Sequence, residues 1–322
     1  MFEIIRKSLS TGVVTTDYPH APAQVSVRAR GRPEIDFTNL KDARPAAAVC
    51  PTGALSCDGR DASPRRPSSC ASGRLGEASL PEPGRRTVTL DLGKCTFCGL
   101  CAEAEPAIRM THACELAARR RADLVSSAAY RLGPGGEHAE LLDRPLTPSL
   151  SPSDRERVPV GASSGAGQTA SQPRGSEVET VGAELKARIA KVFGRSLHIR
   201  EVDAGSCNGC EVEIAGLNSP VYDIERFGVH FVASPRHADL LLVTGPVSRN
   251  MELALRKTYE AMPPPRLVVA VGACGCSGGI FGQNYATLGG VDKVLPVDVY
   301  IPGCPPNPHA LLHGVLTAVG RL

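Results

Sequence analysis

The sequence has no tryptophan, and aromatic residues make up only 4% of it. Proteins that grip single-stranded nucleic acid stack bases on such rings, so that partner class is set aside. Charge of one sign is also scarce. Thirty-six basic residues face 33 acidic ones, and the formal balance of +3 is too mild to hold a polyanion or a membrane surface. No run approaches the roughly 18 apolar residues of a membrane-spanning helix. Met1–Leu9 (MFEIIRKSL) lacks the long apolar centre of an export signal. Enzymatic signatures are missing too: there is no nucleophile–base set, and Gly272–Gly282 is glycine-rich without the Lys-Ser/Thr of a phosphate loop. Cysteine, by contrast, is plentiful, with 12 in 322 residues. Without an export signal these read as metal ligands rather than disulfides.

Cys95–Cys101 (CTFCGLC) is a C-x-x-C-x-x-C run, a strong iron–sulfur signal. The bacterial run ends x-x-x-C-P, but here Glu105 stands at the fourth cysteine position, before Pro106. Upstream, Cys50–Pro51 is the end of a second run whose first three positions are Leu40, Ala43 and Ala46. In two-cluster ferredoxins the fourth cysteine of each run binds the other run's cluster. One cluster therefore keeps all its ligands, Cys50, Cys95, Cys98 and Cys101, and the other has lost all four. The losses are complementary, which implies one intact 4Fe–4S site and one vacated site filled by small apolar side chains. Glu105 is expected to face solvent or to pair with a base such as Arg44, since an unpaired buried carboxylate is costly. Cys57, Cys70 and Cys114 belong to no motif and read as ordinary thiols.

The second half alternates strand-like and helix-like runs. Strands are expected at Leu197–Val202, Val229–Val232, Leu240–Thr244, Leu267–Val271 and Val297–Ile301, and helices at Glu211–Leu217, Arg249–Ala261 and Asn307–Val319. Near-continuous apolar strands between helices imply a mostly parallel sheet covered on both faces. Cys207 and Cys210, Cys274, and Cys304 follow the first, fourth and fifth of these strands. Ligands in such sheets collect at the carboxyl ends of strands, so the four thiols can share one edge. The expected organisation is an α+β unit over residues 1–130 with an insertion at 58–86, a linker at 131–180, and an α/β unit at 181–322. Further helices are expected at Met1–Leu9, Glu115–Ala128 and Val181–Phe193.

With these residues in hand, two resemblances can be stated. The first half resembles the two-cluster, ferredoxin-like subunits of complex I and of membrane-bound hydrogenases, including TGVVTTDYPHAP and GRPEID. The second half, about Lys186–Leu322, resembles the cluster-bearing small subunit shared by complex I and the energy-converting nickel–iron hydrogenases. The matching pieces are SLHIREVDAGSCNGCEVEI, LLLVTGPVSRNM, VAVGACGCSGGIFG and IPGCPP. The resemblance implies a flavodoxin-like domain with a single 4Fe–4S cluster on Cys207, Cys210, Cys274 and Cys304, beside a catalytic large subunit. Cys274 takes the motif position, and Cys276 reads as a neighbouring inert thiol.

In complex I the first two ligands are adjacent cysteines, whereas here they are Cys-Asn-Gly-Cys, the hydrogenase-like arrangement. The implied protein is thus a natural fusion with two 4Fe–4S clusters, relaying electrons within a hydrogenase or formate hydrogenlyase type complex. Its expected partners are a hydrogenase-type or complex I 49 kDa-type large subunit and the membrane-arm subunits. Its expected place is the cytoplasmic side of the inner membrane, held there through the complex. A quinone-reductase subunit of the 20 kDa type is the nearest rival, and a zinc-stabilised interaction protein is a rival of another class. Glu211 and Glu213 admit either a proton or partner-contact role, or simply the dipole-favoured acids of a helix start. Arg249 supports either the cluster and partner interface or only a helix start.

Overall fold

The computed structural model describes residues 6–7, 10–11, 29–58, 84–133, 136–143 and 195–320. Of the expected helix Met1–Leu9 only Arg6 and Lys7 are described, both helical. The helix read at Val181–Phe193, most of the linker, Cys70 and the body of the insertion lie outside the described residues.

The first half runs β1 (Pro33–Ile35), α1 (Arg44–Val49), β2 (Leu55–Asp58), β3 (Arg85–Asp91), α2 (Leu100–Ala104), β4 (Ile108–Met110), β5 (Val125–Leu132) and β6 (His138–Asp143). β1 and β4 pair antiparallel, with Ile35 opposite Ile108. β2, β3, β5 and β6 form a four-stranded sheet in that order. Asp58 lies opposite Thr87, so the two ends of the insertion leave from adjacent strands, and the β2–β3 pairing is intact up to that point.

Two sequence expectations fail here. Glu115–Ala128 is not a helix: Ala118 forms a β-bridge to Tyr300, Arg121–Leu124 is a 3-10 turn, and β5 starts at Val125. Alanine-rich composition is a weak prior, and pairing with a strand edge overrides it. Within the linker expected from residue 131, β5 runs on to Leu132 and His138–Asp143 is strand, because β6 completes the sheet by pairing with β5.

The second half runs β7 (Leu197–Asp203), α3 (Gly209–Gly216), β8 (Val229–Phe231), β9 (Leu240–Thr244), α4 (Arg249–Glu260), β10 (Leu267–Val271), α5 (Gly272–Ser277), β11 (Val299–Ile301) and α6 (Pro308–Val319). The five strands are parallel in the order β8-β7-β9-β10-β11. That is the 2-1-3-4-5 flavodoxin-like order, whose ligand position is the carboxyl edge near the point where strand order reverses. β9 and β10 are buried at every position. Leu240 and Leu242 enter one core and Leu241 and Val243 the other, as the two-residue period of a strand requires.

The two halves are not separate bodies. Leu40, Leu55, Val88, Leu90, Leu116 and Leu124 belong to the same continuous core as Val243, Val268, Cys276 and Tyr300. Ala118 N–H donates to Tyr300 O at 2.9 Å and Tyr300 N–H to Ala118 O at 2.7 Å, which extends the parallel sheet antiparallel beyond β11.

Candidate metal centres

Cys50, Cys95, Cys98 and Cys101 line one small cavity, although Cys50 follows α1, Cys95 and Cys98 lie in the turn entering α2, and Cys101 lies in its first turn. The turn is shaped by Phe97 (φ 53°) and by Gly99 (φ 86°), the residue before α2, both left-handed. Backbone N–H groups are directed at sulfur: Leu55 N–H donates to Cys50 Sγ at 3.5 Å and Phe97 N–H to Cys95 Sγ at 3.4 Å. Arg30 donates from Nη1 to the carbonyl of Cys98. Burial pushes the Cys95 thiol up to about 12, and the other three cysteines add to the rise while the Phe97 N–H opposes it. Burial likewise raises Cys101, followed by Cys50 and Cys98.

Leu40, Ala43 and Ala46, the positions read as a second, vacated set, are buried at 2%, 0% and 0% exposure and join the core. Glu105 behaves differently from expectation. It is half-buried, and its Oε1 accepts from Ala107 N–H at 3.2 Å. Arg44 is committed to Asp42, at 2.9 Å.

The second set assembles at the carboxyl edge of the parallel sheet. Asp203, the last residue of β7, closes the first loop by accepting from Gly205 N–H at 2.8 Å and Ser206 N–H at 2.7 Å. Asn208 (φ 68°) then turns the chain into α3, which begins between Cys207 and Cys210. Cys274 sits in α5, directly after β10, and Cys304 follows β11. Ala273 N–H donates to Gly303 O at 2.7 Å and so ties these two loops together.

Two glycines hold the sulfurs at a distance no other residue would allow. A Cβ on Gly272 (φ +79°) would lie 2.7 Å from Cys210 Sγ, and one on Gly279 (φ +55°) would lie 2.9 Å from Cys274 Sγ. Cys210 is raised by burial, then by Glu211 and the thiols of Cys274, Cys207 and Cys304. Cys274 is raised to about 11 by burial, then by Cys304, Cys207 and Glu211. All four thiols therefore share one electrostatic neighbourhood. Cys207 and Cys304 are exposed and Cys210 and Cys274 are half-buried. Among the described residues no three His, Cys, Asp or Glu side chains converge closely enough for a single metal ion.

Both donor sets suit an iron–sulfur cluster. Each offers four soft thiol ligands, amide donors aimed at sulfur in the first, and glycine clearance around sulfur in the second. Burial raises Cys95, Cys101, Cys210, Cys274 and Cys304 and so disfavours their thiolates, a condition the positive charge of a bound cluster would reverse.

Other residues singled out from sequence take modest places. The Glu211 carboxylate accepts from the Thr244 hydroxyl, while its Oε2 is buried with no hydrogen-bond partner. Glu213 is half-buried and raised by burial. Arg249 is exposed. Its Nε donates to Tyr285 O at 2.8 Å, so it anchors the loop after Cys274 rather than a thiol. Cys276 is fully buried with its thiol toward Ala270 O, and it is pushed up to about 12 by burial. Sequence reading missed Arg30, Arg121, Glu201 and Thr244. Glu201 is raised by burial and then by the neighbouring Glu211. No spacing rule marks these residues, because their partners lie on other elements of the fold.

The fold and the second thiol set define a class: a flavodoxin-like α/β domain with four cysteines gathered on its carboxyl edge. Residues 207–318 match the family model described as NADH ubiquinone oxidoreductase, 20 Kd subunit. Formate hydrogenlyase subunit 7 of Escherichia coli (strain K12) is 51% identical over 140 residues, 44% of this chain and 55% of that protein, so the match spans about half of that relative. The probable membrane-bound hydrogenase subunit mbhJ of Pyrococcus furiosus is 48% identical over 136 residues, 42% of this chain and 81% of that one. An NADH-quinone oxidoreductase subunit of Citrifermentans bemidjiense is 50% identical over 107 residues, 33% of this chain and 62% of that one. A solved structure of the membrane-bound sulfane sulfur reductase, an archaeal respiratory membrane complex, aligns at 37% identity with a TM-score of 0.36, covering 43% of this chain and 74% of that one. The chain belongs to the NADH ubiquinone oxidoreductase 20 kDa subunit family.

Proposed function

We propose that this chain is an electron-transfer subunit of a membrane-associated hydrogenase or formate hydrogenlyase type complex. It holds one 4Fe–4S cluster on Cys50, Cys95, Cys98 and Cys101 and a second on Cys207, Cys210, Cys274 and Cys304. The observation that carries this reading is the double gathering: eight cysteines from distant parts of the chain assemble as two sets of four. Family membership and the hydrogenase relatives support it. A 4Fe–4S cluster, when bound, supplies one-electron exchange.

The chain's own residues position and tune. Leu55 and Phe97 N–H groups direct positive dipoles at sulfur, and Arg30 places a cation beside Cys98; both favour the reduced state. Phe97 on one side and Pro302, Gly303, Pro305 and Pro306 on the other line a shared cavity of about 120 Å³, so the two ligand loops face each other across a short gap. In this reading the first half is a ferredoxin-like module whose second site has been closed by Leu40, Ala43 and Ala46.

The catalytic large subunit docks at the carboxyl edge. Cys207 and Cys304 are exposed there, and the exposed apolar residues Val212, Ile280, Phe281 and Tyr285 lie on the loops and helix next to the thiols. Glu211, with a buried oxygen free of hydrogen bonds, and Glu213 beside it are the groups placed to exchange a proton with that partner. Among the described residues no helix is long and apolar enough to cross a membrane. Attachment to the cytoplasmic side of the inner membrane then runs through the membrane-arm subunits.

Anaerobic purification with iron, sulfide and zinc analysis tests the reading. About eight irons per chain support it; about two zincs and no iron would establish the interaction-protein alternative, and about twelve irons would refute the vacated site. The NADH-quinone oxidoreductase relatives raise a quinone-reducing complex as the second reading. Metal analysis of the co-purified large subunit separates the two, since nickel belongs to the hydrogenase alone.

A further inference from the structure

Arg121 joins the two halves next to both ligand loops. Its Nη2 donates to Asp91 Oδ2 at 2.7 Å, and its Nε donates to Cys276 O at 3.0 Å. Asp91 ends β3 and also accepts from Gly93 N–H at 2.9 Å, two residues before Cys95. Cys276 lies in α5, two residues after Cys274. The guanidinium lies flat against Gly93, where a Cβ would come within 2.7 Å of Cζ. Beside it the Ser277 hydroxyl donates to Gly93 O at 2.8 Å. Burial works against the Arg121 charge, but the Asp91 carboxylate offsets this and the guanidinium is held above its ordinary value.

We propose that Arg121 is a positioning residue that sets the distance between the two ligand loops, by bolting the Asp91–Cys95 turn onto α5. The inference rests on the two-cluster reading and deepens it. One electron passes between the two thiol-held groups with no bond formed or broken, so rate depends on separation and on what fills the gap. The Phe97–Pro305 cavity is that gap, and Arg121 holds the turn that carries Phe97.

The test uses the full-length protein loaded with iron and reduced with dithionite. Arg121→Met removes both bonds, Arg121→Lys can keep one, and Gly93→Ala displaces the guanidinium while leaving its charge in place. In all three, iron is expected to stay at about eight per chain and each cluster to keep its own low-temperature spectrum. The magnetic interaction between the two reduced clusters should weaken in Arg121→Met and Gly93→Ala, and freeze-quench electron exchange between them should slow by roughly an order of magnitude. Arg121→Lys should fall between these and the parent. Unchanged interaction and exchange in Gly93→Ala, with iron retained, would overturn the role of Arg121 alone. A parent protein with only about four irons would instead overturn the two-cluster reading, and the positioning role with it.

Discussion

At the scale of residues, the cysteine pairing rule explains the most, and it can be checked one side chain at a time. Cys50 is 45 positions before Cys95 in the sequence, yet it lines the same cavity. Cys50→Ser is therefore expected to lower iron from about eight to about four per chain, as measured by metal analysis, leaving the second cluster's spectrum unchanged. Gly272→Ala should do the reverse. Its φ of +79° disfavours any side chain, and the added methyl would meet Cys210 Sγ. We expect a loss of roughly 1–3 kcal/mol in stability and depletion of the second cluster only. The eight cysteines proposed as ligands could be singled out in sequence, because thiols at bends after strands and in C-x-x-C turns are local signals. Arg121, Glu201 and Thr244 were not, since each acquires meaning only from a partner on another element of the fold. Glu105 was misplaced for a related reason: a backbone N–H two residues away took the carboxylate, which charge counting cannot foresee.

At the scale of elements, α1 carries the site proposed as vacated. Ala43, just before it, and Ala46 within it are fully buried, so packing leaves no room for a cluster there. Ala46→Leu should overpack it and cost roughly 1–3 kcal/mol, seen as a lower urea midpoint at constant slope. The neighbouring β6 carries a pH dependence. His138 stacks on Tyr130 at 4.0 Å, makes a 3.1 Å contact to Leu40 O through Nδ1, and has its pKa lowered by burial from the ordinary 6.5. The unfolded chain therefore takes up the proton first. Stability is complete above about pH 6.5 and declines as the pH falls toward the folded value. Replacing the imidazole, as in His138→Gln, should flatten that decline in melting temperature between about pH 7 and pH 5. The parallel strands were legible almost to the residue, because runs such as LLLVT and LVVAV are apolar at every position. Glu115–Ala128 was not, because its fate was decided by Tyr300, 182 positions beyond Ala118.

At the scale of the whole molecule, a chain that composition divides in two is folded around a shared core. Leu116, Ala118 and Leu124 join the packing beneath β9 and β10, and the Ala118–Tyr300 bridge continues the sheet. Thermal unfolding should therefore follow one transition, with cluster absorbance and far-UV circular dichroism coinciding; two separated transitions would mean that the halves are independent. Under the proposed function, this shared core would keep a constant separation between the two proposed electron sites. The central claim is that each set of four cysteines holds its own redox cluster. Low-temperature paramagnetic resonance of the dithionite-reduced protein tests it most directly. We expect two signals, the first abolished by Cys98→Ser alone and the second by Cys274→Ser alone. A single signal that survives either substitution, or none in iron-replete protein, would contradict the claim.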